Sequence, residues 1–364
     1  MTDPRTARTR RPDGAEAAGG LLGLHARGLF ASPDALARAV ERFGVPGSAD
    51  HARVVETAVA AGFDLEVLPA RGLDLGRASV GGVPLSWTSP VADARPLDRP
   101  AGAAWADRFT GGLLVTCGID NIGPATDDAG LHGSFSHRPA GELRVRAGVD
   151  PRPRVRVHGV VEVTELFGPS VRVERRIVSD IDRSGRARVR VWDVLRNVSR
   201  VEAAVPMLYH LNFGAPLVVP GTVVDTGDAV TVIRELCPAV PDHAVLPEPC
   251  DEVTEAVFSH TPRQGPDATD APDAAATARV SVTSPSGLRA EIAWSRATLP
   301  YLYQWVLPTR GRWALGIEPS TAPLFGPERD APHAGAPLLA PGETRRHEVT
   351  IRVGPSSAWP GSRG

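Results

Sequence analysis

Valine and arginine alternate through much of the stretch from Arg154 to Asn197, and a period of two is a strand signal that no helix satisfies. Val155, Val157, Val161 and Val163 share one face, while Arg154, Arg156, His158 and Glu162 take the other. Val171-Arg172-Val173-Glu174-Arg175 repeats the pattern, and so does Arg188-Val189-Arg190-Val191. Gly168-Pro169 and Ser184-Gly185 stand where turns are needed. The stretch therefore predicts an antiparallel meander with one dry and one wet face. Its charged rows read as cross-strand pairs on a solvated face rather than as a stripe for nucleic acid.

The same signal recurs elsewhere. Phe63–Leu68 alternates apolar and acidic residues, and further strands are expected at Thr222–Ile233, Ala278–Thr283, Leu288–Trp294, Trp313–Glu318 and His347–Val353. One helix is expected over Ser32–Gly44, with serine at the N-cap, proline at the first turn, glycine after the end, and Leu36, Val40 and Phe43 on one face. The 37 glycines and 35 prolines fit many short strands joined by tight turns. Helices do not alternate with strands, which disfavours a βαβ fold and a nucleotide cofactor; Gly81-Gly82 and Gly111-Gly112 lack the strand–turn–helix context of a phosphate loop. The expected fold class is all-β, an antiparallel β-super-sandwich with few short helices. It divides into a disordered tail over 1–27, a single domain over 28–355 and a C-terminal tail over 356–364. Gly265–Ala276, rich in Asp, Pro and Ala, reads as a surface loop.

The formal net charge is -2, so no global field draws the chain to nucleic acid or to an anionic membrane. Cys117, Cys237 and Cys250 are odd in number and irregularly spaced, suggesting neither a disulfide framework nor a zinc site. No apolar run approaches the roughly 18–20 residues of a membrane span, and the arginines of the first residues precede no apolar signal core. The expectation is a cytoplasmic monomer or homodimer.

Groups able to move protons gather in four apolar-flanked segments: Leu131–His137, Pro206–Gly214, Ala314–Pro319 and Leu68–Leu75. A carboxylate or imidazole among Leu, Ile and Phe costs free energy unless it is partnered, so each segment is a functional candidate. Each also has a structural reading. His210 is either a hydrogen-bonded core histidine or a catalytic one. Glu318 is either a base or a strand-end carboxylate facing water. Arg71 and Asp74 either bind a ligand or form an ion pair within their turn. Cys117 reads as a small buried residue.

As a set, these segments resemble the aldose 1-epimerase family. More closely, the chain is similar to a branch carrying R-G-L/M-D (Arg71–Asp74), G-G-L-L-x-T-C-G (Gly111–Gly118), L-H-G (Leu131–Gly133) and Y-H-x-N-F-G (Tyr209–Gly214). That branch closes with a tryptophan before G-I-E-P (Trp305, then Gly316–Pro319) and a late P-G-E (Pro341–Glu343). The resemblance covers roughly Val54 to Val353. It implies a galactose mutarotase-like super-sandwich with a carbohydrate site on its concave face. It implies Glu318 as general base, His210 as general acid and His132 as a second histidine beside the sugar ring oxygen. Arg71, Asn212 and Asp74 are implied in substrate binding, and Trp305 is either an apolar face for the ring or a core tryptophan. The family's hydroxyl-binding aspartate has no clear counterpart; Asp251 and Glu255 are nearest.

The activity so implied is anomer interconversion, with no cofactor and no metal, and a bell-shaped pH profile whose lower limb belongs to Glu318 and upper limb to His210. Two alternatives stay open: other epimerase, isomerase or lyase chemistry on a sugar derivative, and carbohydrate binding without catalysis. In the former, His132, His210 and Glu318 could hold a divalent cation.

Overall fold

A computed structural model describes residues 14–43, 53–91, 100–127, 129–261 and 277–358. The valine–arginine stretch forms three long strands, Pro153–Thr164, Ser170–Ile181 and Ala187–Asn197, each antiparallel to the next. Val155, Val157, Val161, Val173, Val189 and Val191 are buried. On the other face Arg172 reaches Glu142 at 2.6 Å and Glu162 at 2.7 Å. A slip of one residue would turn every valine to water, so burial fixes the register.

Ala140–Val149 extends this sheet on one side, and Thr344–Pro355, Leu288–Ser295, Thr277–Thr283 and Val223–Asp225 extend it on the other, giving eight strands among the described residues. A second sheet, of eleven strands among the described residues, faces it. Its order is Ala37–Phe43, Arg53–Val59, Phe63–Leu68, Asp74–Val80, Leu114–Gly118, Met207–Phe213, Ala314–Ser320, Tyr301–Leu307, Ala256–Thr261 and Val230–Glu235, with Val83–Pro84 beside Asp74–Val80. Valines of the first sheet and Leu75, Leu114, Tyr209, Leu211 and Ile317 of the second belong to one apolar cluster. The result is the antiparallel super-sandwich that the alternation predicts. Among the described residues no helix is long and apolar enough to cross a membrane.

Four details differ from the sequence reading. Ser32 does cap a turn, accepting a 3.2 Å hydrogen bond from the Asp34 amide, but only Pro33–Ala35 is helical. Ala37–Phe43 is an edge strand on Arg53–Val59, and Val40 and Phe43 are exposed. The segment suits both periods, and seven ladder positions outweigh a helix with no surface to pack on; Gly44 lies outside the described residues. Gly14–Ala26, expected within a disordered tail, is an α-helix. It is closed by Gly28 at φ +71, whose amide meets the His25 carbonyl while the Leu29 amide meets that of Leu24. Thr222–Ile233 divides between the two sheets at the turn Asp225–Gly227, where the Gly227 amide donates to Asp225 at 2.8 Å. Arg175, on the face of Val171 and Val173, enters the core instead of water. The loop expected at Gly265–Ala276 lies outside the described residues.

Candidate active site

Met207–Phe213 is buried along its whole length because both of its faces are covered. Tyr209, Leu211 and Phe213 point into the core between the sheets, while Leu208 belongs to a second apolar cluster with Val115, Cys117 and Tyr303. His210 and Asn212 share the Leu208 side by alternation. On the neighbouring strand Ala314–Ser320, Leu315 and Ile317 face the core, so Gly316, Glu318 and Ser320 face the same way as His210. The register pairs Leu211 with Ile317, which sets His210 across from Glu318.

His210 Nε2 lies 3.3 Å from Glu318 Oε1, and both residues are buried. Neither His210 Nδ1 nor Glu318 Oε1 has a hydrogen-bond partner among the described residues. Unsatisfied buried polar atoms are costly in a native fold, and a pair of titratable ones facing each other is a functional candidate. Gly316 makes the approach possible: a Cβ there would stand 2.8 Å from Glu318 Oε1 and 3.1 Å from His210 Cε1. Gly316→Val is expected to overpack this spot, costing about 1–3 kcal/mol of stability and lowering turnover more than substrate affinity. Denaturant titration beside kinetics on the folded variant checks it.

His132 enters from a loop rather than a strand. Its backbone stands at φ +56, held by its amide on the Gly123 carbonyl and its carbonyl on the Gly118 amide. Gly133 follows at φ +74, packed so closely on the Asn121 carbonyl that no side chain fits. That is the physical content of the L-H-G motif. His132 Nδ1 donates to the Ile122 carbonyl at 2.8 Å, which leaves Nε2 as an acceptor. Its ring centroid is 6.0 Å from that of His210 and 4.5 Å from Trp105.

An aromatic wall surrounds the histidines. Phe109 and Trp305 lie 5.3 and 5.6 Å from the His210 ring, and Trp87 lies 5.7 Å from Trp305. Trp305 is part exposed and donates from Nε1 to Glu255 Oε2 at 2.7 Å, so it belongs to the site wall and not to the core. Glu255 is thereby held at the site, whereas Asp251 pairs with Arg310 at 2.8 Å on an exposed loop. Trp87, Trp105 and Phe109 lie outside regular strands and carry no periodic signal, which is why sequence reasoning misses them.

Two expected site residues, Asp74 and Asn212, are placed differently. Asp74 is buried away from the site, its carboxylate taken by the Thr116 amide and hydroxyl and by Arg175. Asn212 is fully buried and donates to the Gly112 and His210 carbonyls, so it braces the site and offers no donor to a ligand. Arg71 ends the turn Pro69–Arg71 and lines a cavity of about 270 Å³ with Thr110, Gly111 and Gly112, beside the Asn212 anchor. His132, His210 and Glu318 do not form a cation-binding set; no group of three such ligand residues occurs among the described residues.

Burial dominates the electrostatics. It pushes the Glu318 carboxyl up to about 8, reinforced by Glu255, and it brings His210 down to about 3, reinforced by His132. Burial also lowers His132 to about 4. Near neutrality the His210–Glu318 pair therefore carries a single proton, resting on Glu318.

The model of a family described as a domain of unknown function (DUF4432) matches residues 49–353. A search of curated proteins finds no match. Among solved structures, a provisionally named aldose 1-epimerase from Klebsiella pneumoniae is similar at TM-score 0.76 and 19% identity, covering 88% of this chain and 85% of that one. A galactose mutarotase-like protein from Clostridium acetobutylicum is similar at TM-score 0.57 and 14% identity, covering 87% and 98%. A galactose 1-epimerase from Lactobacillus acidophilus is similar at TM-score 0.52 and 12% identity, covering 88% and 98%.

Proposed function

Because the chain belongs to the DUF4432 family and has the galactose mutarotase-like fold, we propose that it interconverts sugar anomers by general acid–base ring opening and closure. The observation that carries this reading is the His210–Glu318 contact: an imidazole and a carboxyl, both buried, 3.3 Å apart and facing an aromatic wall. Ring opening needs a proton taken from O1 and a proton given to O5. The C1–O5 bond then breaks, C1 turns about C1–C2, and closure reverses both transfers. A pair with one proton supplies one base and one acid together. In the family's order Glu318 accepts from O1 and His210 donates to O5; transfer of the resting proton from Glu318 to His210 sets that order. His132 Nε2 accepts a sugar hydroxyl, and Trp305 lies along the ring. Anomerically pure aldoses followed by polarimetry test the proposal. Faster equilibration with some aldose supports it, and a rate equal to buffer for every aldose bound by the protein leaves carbohydrate binding instead.

The pH dependence follows from the direction of the shifts. Below about 3 His210 gains a second proton and no base remains; above about 8 Glu318 loses its proton and no acid remains. A bell in kcat/KM is expected, with its acid limb from His210 and its alkaline limb from Glu318. This inverts the assignment that the resemblance implies, because burial raises one group and lowers the other. Carbon-13 NMR of the labelled Glu318 carboxyl checks the order: titration near 4.5 would restore the ordinary one.

A further inference from the structure

On the face of the eight-stranded sheet turned away from the core, Arg188 and Arg190 alternate with buried Val189 and Val191. At the end of the sheet bearing the Ser184-Gly185 hairpin turn lies a basin of about 1020 Å³, lined by nine arginines and only three carboxylates, Asp180, Asp182 and Glu291. The whole chain carries a net charge of -2, so this local surplus of positive charge is a concentration and not a reflection of composition.

Cross-strand pairing accounts for only part of it. Asp180 takes both ends of the Arg188 fork at 2.7 and 2.9 Å and also Arg190 at 3.1 Å. Glu291 Oε1 is shared between Arg279 at 3.1 Å and Arg352 at 3.0 Å. Asp182 holds Arg186 at 2.8 Å and the amides of Ser184 and Arg186. Every carboxylate is thus spoken for. Arg154 stands opposite Asp180 in the ladder, yet among the described residues it has no carboxylate, and its buried Nε has no acceptor. Arg183, at the exposed tip of the hairpin turn, has none either. Burial first, and the neighbouring Arg188 next, hold Arg190 below the ordinary arginine range.

We propose that this basin binds a small molecule bearing clustered phosphate groups, of the oligophosphate class. All basic side chains of the lining are arginines, whose planar forks match phosphate oxygens in pairs. Among the described residues the lining holds no aromatic side chain on which bases could stack. Its volume is near the upper end of small-molecule sites, roughly 300–1,000 Å³. The site lies on the eight-stranded sheet, whereas His210 and Glu318 lie on the other, so it stands independently of the sugar reaction.

Isothermal titration of the full chain with inorganic tripolyphosphate tests the proposal. Saturable binding is expected, weakening steeply with added salt and exceeding that of orthophosphate by about tenfold or more. Arg154→Gln should weaken it by about tenfold. Arg183→Glu, on an exposed turn where folding is not at stake, should weaken it at least as much. Absence of saturable tripolyphosphate binding at low salt, or the same affinity in both folded variants, would overturn the site. So would binding of a DNA duplex without binding of tripolyphosphate, which would assign the face to a polymer.

Discussion

Glu318→Gln is expected to lower kcat by roughly 10²–10⁴ with a smaller effect on KM. Glutamine keeps the shape and reach of the side chain but neither accepts nor releases a proton at working pH. His210→Asn should act similarly, leaving a small polar group 3.3 Å or more from Glu318 with no imidazole to exchange the shared proton. The double variant should fall well short of the product of the two losses, because one proton serves both residues. His132→Ala should weaken sugar binding at least as much as turnover, since Nε2 is a ligand acceptor in this scheme. Proton exchange spectroscopy between the anomers of an accepted sugar reads all four variants at equal concentration. If a folded single variant exchanges anomers at near the unsubstituted rate, that residue is structural and the scheme fails.

The alternating stretch from Arg154 to Asn197 was legible because half-exposed strands must show one polar and one apolar face. Met207–Phe213 was legible only as an apolar run bearing a histidine, since a strand covered on both sides has no period to show. The His210–Glu318 pairing rested on the family resemblance: residues 108 positions apart in the chain meet through strand register, which no local pattern encodes. Ser32–Gly44 carries helix signals because its cap is real but local, while the edge pairing that overrides it is tertiary. Glu255 could be named only as one of two acidic candidates; its bond to Trp305 is made across strand and loop. Asp74 was misplaced for the same reason, because its partner Arg175 lies on the opposite sheet.

That partner carries the largest expected effect on stability. Arg175 is completely buried, and its Nε and Nη2 grip Asp193 at 2.8 and 2.7 Å, directly across the ladder. Its Nη1 reaches over to the eleven-stranded sheet, to Asp74 at 3.1 Å, the Thr116 hydroxyl at 2.9 Å and the Gly72 carbonyl at 3.0 Å. Tyr209, adjacent to His210, donates to Asp193 at 2.6 Å from behind the site strand. One guanidinium therefore ties the two sheets together and neutralises two buried carboxylates. Arg175→Met leaves Asp193 without its guanidinium and Asp74 with only the weaker field of Arg71, and should destabilise the fold by about 3–5 kcal/mol. Burial already raises the Asp74 carboxyl to about 6 against the pull of Arg175, and loss of Arg175 should raise it further. A carboxyl raised in the folded state binds its proton more tightly there than in the unfolded chain, so the deficit should shrink as pH falls. Denaturant midpoints of the variant and the unsubstituted chain at pH 8 and pH 5 give the measurement. A loss under about 1 kcal/mol, as for exposed ion pairs, or a deficit that grows as pH falls, would show that the carboxylates do not depend on Arg175.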